Sequence, residues 1–303
     1  MRTPDKLRLV TLAGACGWLL LLAGHELPAQ ANTDSVAKVL WQPSMNMFRR
    51  HTVPAEAMFE FYGEVLGLEQ LATRTAGSGS GVARFRVGDS ELRLTGIAAG
   101  RNYVPGGVQD ATGLRLLGFF FDDRNALVER FVAHGLAAPE FELLPGRREP
   151  SALVQDPDGQ WVELLLRTAG PADSPMHIEV GLTVSDLARS RSFYRDFVGL
   201  QELPPAADPR FDTQQYSYRH GSTLVTLRSF GPGIPADTGS GGIQYVVSDV
   251  DHVDATAKRQ DVTIDQPLRN FGNSGTRMIW VEDPDGITNY FTETAESRSE
   301  PAP

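Results

Sequence analysis

The stretch Phe61-Tyr62-Gly63-Glu64-Val65-Leu66-Gly67-Leu68 decides the fold, because the chain contains a second copy of it. The counterpart is Phe193-Tyr194-Arg195-Asp196-Phe197-Val198-Gly199-Leu200, which begins 132 residues later. Asp156-Pro157-Asp158-Gly159 recurs as Asp283-Pro284-Asp285-Gly286 at an offset of 127. Between these landmarks, Phe119–Asp123 matches Tyr245–Asp249 at an offset of 126. Three landmarks in the same order at a nearly constant offset indicate a tandem duplication.

The second copy shows the local structure of the repeat most clearly. Val180–Val184 alternates and is β-branched, which predicts a strand. Ser185 or Asp186 then caps a helix that carries Phe193 and Tyr194 on its apolar face. We expect Gly199 to end that helix, because glycine adopts the left-handed conformation at little cost. With the Asp-Pro-Asp-Gly turn before the last strand, each copy is predicted to contain strand–helix–strands twice.

These motifs resemble the vicinal oxygen chelate superfamily, which includes glyoxalases, extradiol dioxygenases and bleomycin-resistance proteins. The resemblance covers about residues 45–167 and 176–292. It implies an α+β fold of two tandem glyoxalase-like domains. Each domain is expected to hold two paired βαβββ modules that form a curved sheet, or cup, around a ligand site. The motif set is specific for the fold and much less so for the reaction.

The predicted organisation divides the chain into six parts. They are a signal peptide (1–31), an N-terminal segment (32–44), domain 1 (45–167), a breaker-rich linker (168–175), domain 2 (176–293) and a disordered tail (294–303).

The first 31 residues have the three-part pattern of a secretory signal. Arg2, Lys6 and Arg8 precede the apolar run Leu9–Gly24, and Ala29-Gln30-Ala31 supplies a cleavage site. The run is shorter than the roughly 20 residues of a membrane-spanning helix. A lipoprotein that uses Cys16 is a weaker alternative, because the apolar run continues past the cysteine. We therefore expect a periplasmic or secreted protein with no stable membrane association after cleavage.

Composition excludes several other functions. The formal net charge of -10 repels nucleic acid and anionic membranes. Cys16 is the single cysteine, which excludes an intramolecular disulfide, a Cys-containing zinc cluster and, after cleavage, a cysteine nucleophile. The chain has no P-loop and no Gly-x-Ser-x-Gly elbow. No catalytic residue can be assigned.

The metal site that the resemblance implies is largely missing. Catalytic relatives hold a divalent metal with His, Gln or Glu from the first and last strands of their modules. The matching positions here are Met47 or Phe48, Arg93, Leu116, Glu163, Glu179, Thr226, Gly242 and Tyr290. Of these, Glu163 and Glu179 are conventional ligands, and His177 and His51 are candidates to complete a set. No cofactor is favoured, and a divalent metal is the alternative.

The same strands also supply the residues that are expected to line the two cups. The domain 1 candidates are Glu163, Trp161, Arg93, Arg84, His51 and Arg115, and the domain 2 candidates are Glu179, Gln244, Tyr290, Asn289, Arg277 and Trp280. Arg93 and Glu163 are expected to form an ion pair where a metal would otherwise lie.

Three functions remain open at this stage. The favoured one is an exported protein that binds a small organic molecule in its cups without the usual metal. The second is a metal-dependent lyase or dioxygenase with atypical ligands. The third is a non-catalytic interaction module whose cups are filled by side chains. The expected partner is a small-molecule ligand, and the expected state is a monomer or homodimer.

Overall fold

A computed structural model describes residues 34–75, 81–167, 176–271 and 274–300. The predicted signal peptide, the predicted linker and residues 76–80 lie outside these ranges. Within the described ranges, no helix has the length and apolarity needed to cross a bilayer.

Four modules follow one another along the chain, and the first two form the N-terminal half. Module 1 comprises β1 (Asn46–His51), α1 (Ala55–Phe59) with its π-helical continuation Glu60–Val65, β2 (Glu69–Thr75), β3 (Gly81–Val87) and β4 (Ser90–Gly96). Module 2 comprises β5 (Gly113–Phe121), α2 (Arg124–Ala133), β6 (Ser151–Gln155) and β7 (Trp161–Leu166).

The C-terminal half repeats the plan. Module 3 comprises β8 (Ile178–Thr183), α3 (Leu187–Ser192) with its π-helical continuation Phe193–Val198, β9 (Gln201–Glu202), β10 (Ala206–Asp208), β11 (Thr213–His220) and β12 (Thr223–Arg228). Module 4 comprises β13 (Gly241–Val246), α4 (Val250–Arg259), β14 (Ile264–Phe271), β15 (Thr276–Glu282) and β16 (Thr288–Glu293). A short 3-10 helix (Val36–Val39) precedes module 1, and α5 (Ala295–Ser299) follows module 4.

Helix caps explain where the repeated helices begin. Asp123, Asp186 and Asp249 lie 63 residues apart, and each carboxylate accepts a hydrogen bond from the backbone N–H three residues later. Such a cap satisfies a helix donor that has no intrahelical partner. Gly199 ends the module 3 helix at φ 85°, as its sequence predicts.

The strands form two eight-stranded sheets, and each sheet combines the two halves of the chain. The outer sheet joins modules 1 and 4 in the order β14-β15-β16-β13-β1-β4-β3-β2. The inner sheet joins modules 2 and 3 in the order β10-β11-β12-β8-β5-β7-β6, with β9 on β11. Antiparallel pairing of β1 with β13 and of β5 with β8 connects the modules.

The expected α+β fold is therefore confirmed, whereas the expected pairing of modules within each sequence half is wrong. All four first strands carry similar buried residues, so the sequence pattern allows either pairing. Modules 2 and 3 are separated by a short connection, and consecutive elements usually become neighbours in space. The cups consequently mix residues of the two halves. The expected Arg93–Glu163 pair does not form, because Arg93 lies in the outer sheet and Glu163 in the inner one.

One face of each sheet packs against helices and holds the apolar core. In the outer sheet Phe85, Leu92 and Phe291 are buried on this face, and the Phe291 ring stacks on Tyr245 with centroids 5.0 Å apart. Because side chains alternate along a strand, the intervening residues point to the opposite face. That opposite face is called the outer cup in the outer sheet and the inner cup in the inner sheet.

The end of the chain departs from expectation. Residues 294–303 were expected to be disordered, but Ala295–Ser299 forms helix α5. Thr294 and Ser297 make reciprocal side-chain to backbone hydrogen bonds, which is a capping box built from serine instead of the usual Glu or Gln. Ser297 also donates to the carbonyl oxygen of Val247 at 2.7 Å, which fastens the helix to module 4.

Candidate functional site

The outer cup combines aromatic rings with arginines. The Tyr290 ring lies between Phe48 and Trp280, with centroids 4.8 and 5.2 Å away. The Arg50 guanidinium donates to the Tyr290 hydroxyl, and Arg93 lies 5.4 Å from the Phe48 ring centre. Phe48 and Trp280 are partly exposed to solvent, whereas Tyr290 is buried.

The charge of the outer cup is positive although the chain is acidic. Arg84 and Arg93 share the carboxylate of Glu91, with distances of 2.9 Å from Arg84 Nε and 2.9 Å from Arg93 Nη2. Arg269 stacks at 5.0 Å on Trp280 at the rim. Arg50 adds a further guanidinium to this face. At the neighbouring edge Arg101 is matched by Asp265 and Glu282. A surface of this kind attracts anions.

The inner cup holds a buried network of opposite charges. Arg228 Nε lies 2.7 Å from Asp208, and its Nη2 lies 3.4 Å from Glu179. Arg210 Nε lies 3.3 Å from Glu163, and the Ser151 hydroxyl donates to the same carboxylate at 2.8 Å. These carboxylates are thus engaged by cations of the chain itself.

Arg147 adds a third cation to the inner cup. Its guanidinium lies 3.4 Å from Asp208. Burial lowers the pKa of Arg147, but the nearby carboxylates of Glu179, Glu163 and Asp208 outweigh it and raise that pKa above its usual value. Burial would raise the pKa of Asp208, and Arg228 and Arg147 instead hold it below its usual value. The inner cup therefore places three arginines, Arg147, Arg210 and Arg228, beside three carboxylates, those of Glu163, Glu179 and Asp208.

The residues of the inner cup do not fit a divalent metal. The family's ligand positions are occupied here by Leu116, Glu163, Glu179 and Thr226, which supply two carboxylates and no imidazole. A Cβ atom added at Gly181 would lie 3.0 Å from Arg228 Nη1, so the guanidinium covers the cup floor beside Glu179. A cation in that place repels a second cation. Within the described ranges, no group of three or more His, Cys, Asp or Glu could hold a metal ion.

The outer cup fits a metal no better. Its register pairs Asn46 with Gln244 and Phe48 with Gly242. By analogy with the inner sheet, where Gly118 pairs with Glu179, the first ligand position is Asn46 and not Met47 or Phe48. The set becomes Asn46, Arg93, Gly242 and Tyr290, which has no carboxylate and no imidazole.

The structure separates the predicted cup residues into three groups. Those in the outer cup are Arg84, Arg93, Gln244, Trp280 and Tyr290, and those in the inner cup are Trp161, Glu163 and Glu179. The others point elsewhere and are His51, Arg115, His177, Arg277 and Asn289.

Strand alternation explains why three of the predicted cup residues lie on the opposite, helix-facing side of the sheet. His51 shares the helix-facing side with Met47, and its Nδ1 lies 2.9 Å from the Val53 carbonyl oxygen. Arg277 faces α4 and forms a pair with Asp251 at 2.7 Å. Asn289 donates to the carbonyl oxygen of Ile287. These side chains belong to the packing between sheet and helices.

Arg115 and His177 have structural partners. Arg115 lies at a bulge in β5, pairs with Asp237 at 3.0 Å and donates to the carbonyl oxygen of Val104 at 2.7 Å. It thereby ties together the loops that connect modules 1 to 2 and 3 to 4. His177 Nδ1 lies 3.0 Å from Arg167, and burial together with that cation lowers the pKa of His177.

The sequence reasoning missed the arginines that matter most in both cups. They are Arg50, Arg147, Arg210 and Arg228. Strand alternation indicates that Arg228 faces the inner cup, because it lies two residues after Thr226, a predicted cup position, on the same strand. Arg147 and Arg210 come from loops, where no periodicity indicates direction.

Two surface clefts lie outside the cups. One has a volume of about 230 Å³ and includes Arg189, Phe193 and Asp283 among its lining residues. The other, of about 280 Å³, is lined by residues of α2 and by Ala138 and Pro139.

Comparison with known proteins agrees with this architecture. The model of the Glyoxalase/Bleomycin resistance protein/Dioxygenase superfamily matches residues 51–164 and 176–291. Glyoxalase I from Zea mays is similar in structure, with 21% identity and a TM-score of 0.63 over 82% of this chain and 92% of that one. A putative dioxygenase from Bacillus subtilis has 14% identity and a TM-score of 0.55 over 85% and 86% of the two chains. No curated protein sequence matches significantly. The chain belongs to the glyoxalase/bleomycin resistance protein/dioxygenase superfamily.

Proposed function

We propose that the protein is exported and binds a small organic molecule in the outer cup without a metal cofactor. The observation that carries this proposal is the aromatic face on which partly exposed Phe48 and Trp280 flank the buried ring of Tyr290. Partly exposed rings on a concave surface, with polar groups between them, are typical of ligand sites. The inner cup is a weaker candidate, because each of its arginines already forms an ion pair with a carboxylate of the same cup.

A fragment screen tests the location of the site. Ligand-observed NMR on protein that begins at residue 32 should detect aromatic fragments, and Trp280→Ala should abolish their signals. Trp161→Ala, which changes a tryptophan of the inner cup, is the matched control and should leave them unchanged. A screen without hits, or hits lost with Trp161→Ala alone, would refute binding in the outer cup.

The metal part of the proposal has its own test. Protein purified without chelator is analysed for Fe, Mn, Ni, Zn and Co, and fragment binding is measured again after EDTA treatment. We expect substoichiometric metal and unchanged binding. Stoichiometric metal that is lost in Glu163→Gln or Glu179→Gln would instead support the metal-dependent enzyme.

Export is tested on the full-length chain. Expression in a Gram-negative host, followed by fractionation and intact-mass measurement, should give a periplasmic product that starts at Asn32. Cys16→Ser should process normally. A product that retains the first 31 residues in the cytoplasm would contradict export.

A further inference from the structure

Four arginines of the described chain are buried, and three of them have carboxylate partners. Arg49 lies 2.9 Å from Asp156, and Arg115 lies 3.0 Å from Asp237. Arg228 is paired with Asp208 at 2.7 Å. These arginines are at most 2% exposed, and each buried charge is compensated inside the protein.

Arg50 is the exception. It is 5% exposed, yet within the described ranges no carboxylate lies within 4 Å of its guanidinium. Its side chain donates to the hydroxyl of Tyr290, and Nη1 has no hydrogen-bond partner. Burying a charged group without a counter-ion is costly, and an unsatisfied donor adds to that cost. A buried guanidinium of this kind is therefore suited to an external anion.

Strand geometry directs Arg50 toward the outer cup. It alternates with Arg49, whose side chain contacts the Asp-Pro-Asp-Gly turn on the helix-facing side, and it contacts Tyr290, which is a cup residue. The rings of Phe48 and Trp280 flank Tyr290 at 4.8 and 5.2 Å. An unpaired guanidinium thus stands beside a partly exposed aromatic surface.

We propose that the outer cup takes an aromatic carboxylate, whose carboxylate pairs with Arg50 while its ring packs against Phe48 and Trp280. Arginine presents a planar set of donors that matches a carboxylate, and offset or edge contacts between rings add to apolar burial. This inference rests on the proposed function, since it names the ligand class of the outer cup.

Three probes test the two halves of the inference. They are 2-naphthoate, its neutral counterpart 2-naphthamide, and cyclohexanecarboxylate, which has the charge without the aromatic ring. Calorimetry on protein that begins at residue 32 should show 2-naphthoate binding at least tenfold more tightly than either of the others. In Arg50→Gln the preference of 2-naphthoate over 2-naphthamide should disappear, and Arg50→Lys should restore part of it.

Controls separate recognition from general charge and from folding. Arg86→Gln changes an exposed arginine of the same sheet, paired with Glu69, and should leave the preference intact. Tyr290→Phe removes the hydroxyl and retains the guanidinium, so it should keep most of the preference. Circular dichroism and thermal unfolding establish that Arg50→Gln is folded.

The possible outcomes distinguish a failure of the ligand assignment from a failure of the proposed function. Equal affinity for 2-naphthoate and 2-naphthamide, or a preference that survives in Arg50→Gln, would refute the carboxylate assignment even if fragments still bind in the outer cup. Cyclohexanecarboxylate binding as tightly as 2-naphthoate would refute the aromatic part. If neither these probes nor any screened fragment bind, the proposed function fails together with the inference.

Discussion

Arg49 and Arg50 are adjacent and almost completely buried, yet they stand in opposite electrostatic surroundings. Arg49 lies 2.9 Å from Asp156 and 3.1 Å from Asp158, and its pKa is raised because the attraction of Asp156 outweighs the effect of burial. Arg50 has no such carboxylate among the described residues. We therefore expect Arg49 to stabilise the folded protein and Arg50 not to do so.

Methionine at each position gives a matched comparison. Arg49→Met leaves two aspartates without their cation and should lower the free energy of unfolding by about 3–5 kcal/mol. Arg50→Met removes a charge that has no counter-ion, so the free energy of unfolding should stay constant or rise. Urea denaturation measures both values. A loss in Arg50→Met as large as that in Arg49→Met would mean that Arg50 is a structural arginine and not a ligand anchor.

Substitutions in the charge network of the inner cup should lower stability in a non-additive way. Arg228→Met removes the cation that pairs with both Asp208 and Glu179. Asp208→Asn leaves Arg228 with Glu179 alone, which is the more distant of its two partners. Each change should cost about 3 kcal/mol. In the double variant the loss should fall short of the sum by about 0.5–3 kcal/mol, because the two groups interact directly. Additive losses in denaturation experiments would show that the pair contributes no coupling.

At the scale of elements, the two Asp-Pro-Asp-Gly turns show how one motif acquires different properties. In module 2, Asp156 accepts from Tyr62 and Arg49. In module 4, Asp283 accepts a hydrogen bond from Tyr194 at 2.9 Å, and no arginine in the described part of the chain forms an ion pair with Asp283. Complete burial raises the pKa of Asp283 to about 7.

This difference predicts a specific dependence of stability on pH. The unfolded chain ionises Asp283 near pH 3.9, whereas the folded protein keeps it protonated up to about pH 7. The native state then binds the extra proton, so the contribution of Asp283 is complete below pH 4 and declines as the pH rises to 7. Asp283→Asn should abolish this decline, as judged by the difference in unfolding free energy between variant and wild type across pH 4–8.

Asp156→Asn is the control for that experiment. Its aspartate is paired with Arg49, so the substitution should destabilise the protein at neutral pH instead of removing a decline. A difference between wild type and Asp283→Asn that does not change with pH would contradict the raised pKa of Asp283.

Single residues predict where the helices begin and end, but they do not predict which side chains of β1 face the cup. The Asp186 cap and the Gly199 terminus follow from single residues whose backbone preferences are strong. In β1, Asn46–His51 is buried on both faces and contains three consecutive basic or imidazole side chains, Arg49, Arg50 and His51. Such a strand has no apolar alternation, and a register error of one residue exchanges its faces. The sequence alone therefore predicts His51 in the cup and gives no indication that Arg50 lies there.

At the scale of the whole molecule, the pairing of modules 1 with 4 and 2 with 3 interlocks the two halves of the chain. Repeats in sequence specify four similar modules, but they do not specify which edges meet. By pattern alone, β1 could pair with β5 as well as with β13, and β8 could pair with β13 as well as with β5. The structure uses β1 with β13 and β5 with β8. The outer cup consequently depends on residues that lie more than 100 positions apart, such as Arg50 and Tyr290.

Cutting the chain between its halves tests this interlocking directly. A protease site placed in the predicted linker at 168–175 would, after cleavage, leave two fragments joined by the β1–β13 and β5–β8 ladders and by the Arg115–Asp237 pair. Main-chain ladders buried beneath helices do not separate without unfolding, so the cleaved protein should elute in gel filtration at the volume of the intact chain at micromolar concentration. In 8 M urea the same sample should separate into two fragments. Two independent folded halves eluting without denaturant would show instead that each sequence half closes its own cup, and the assignment of Arg50 and Tyr290 to one site would then be lost.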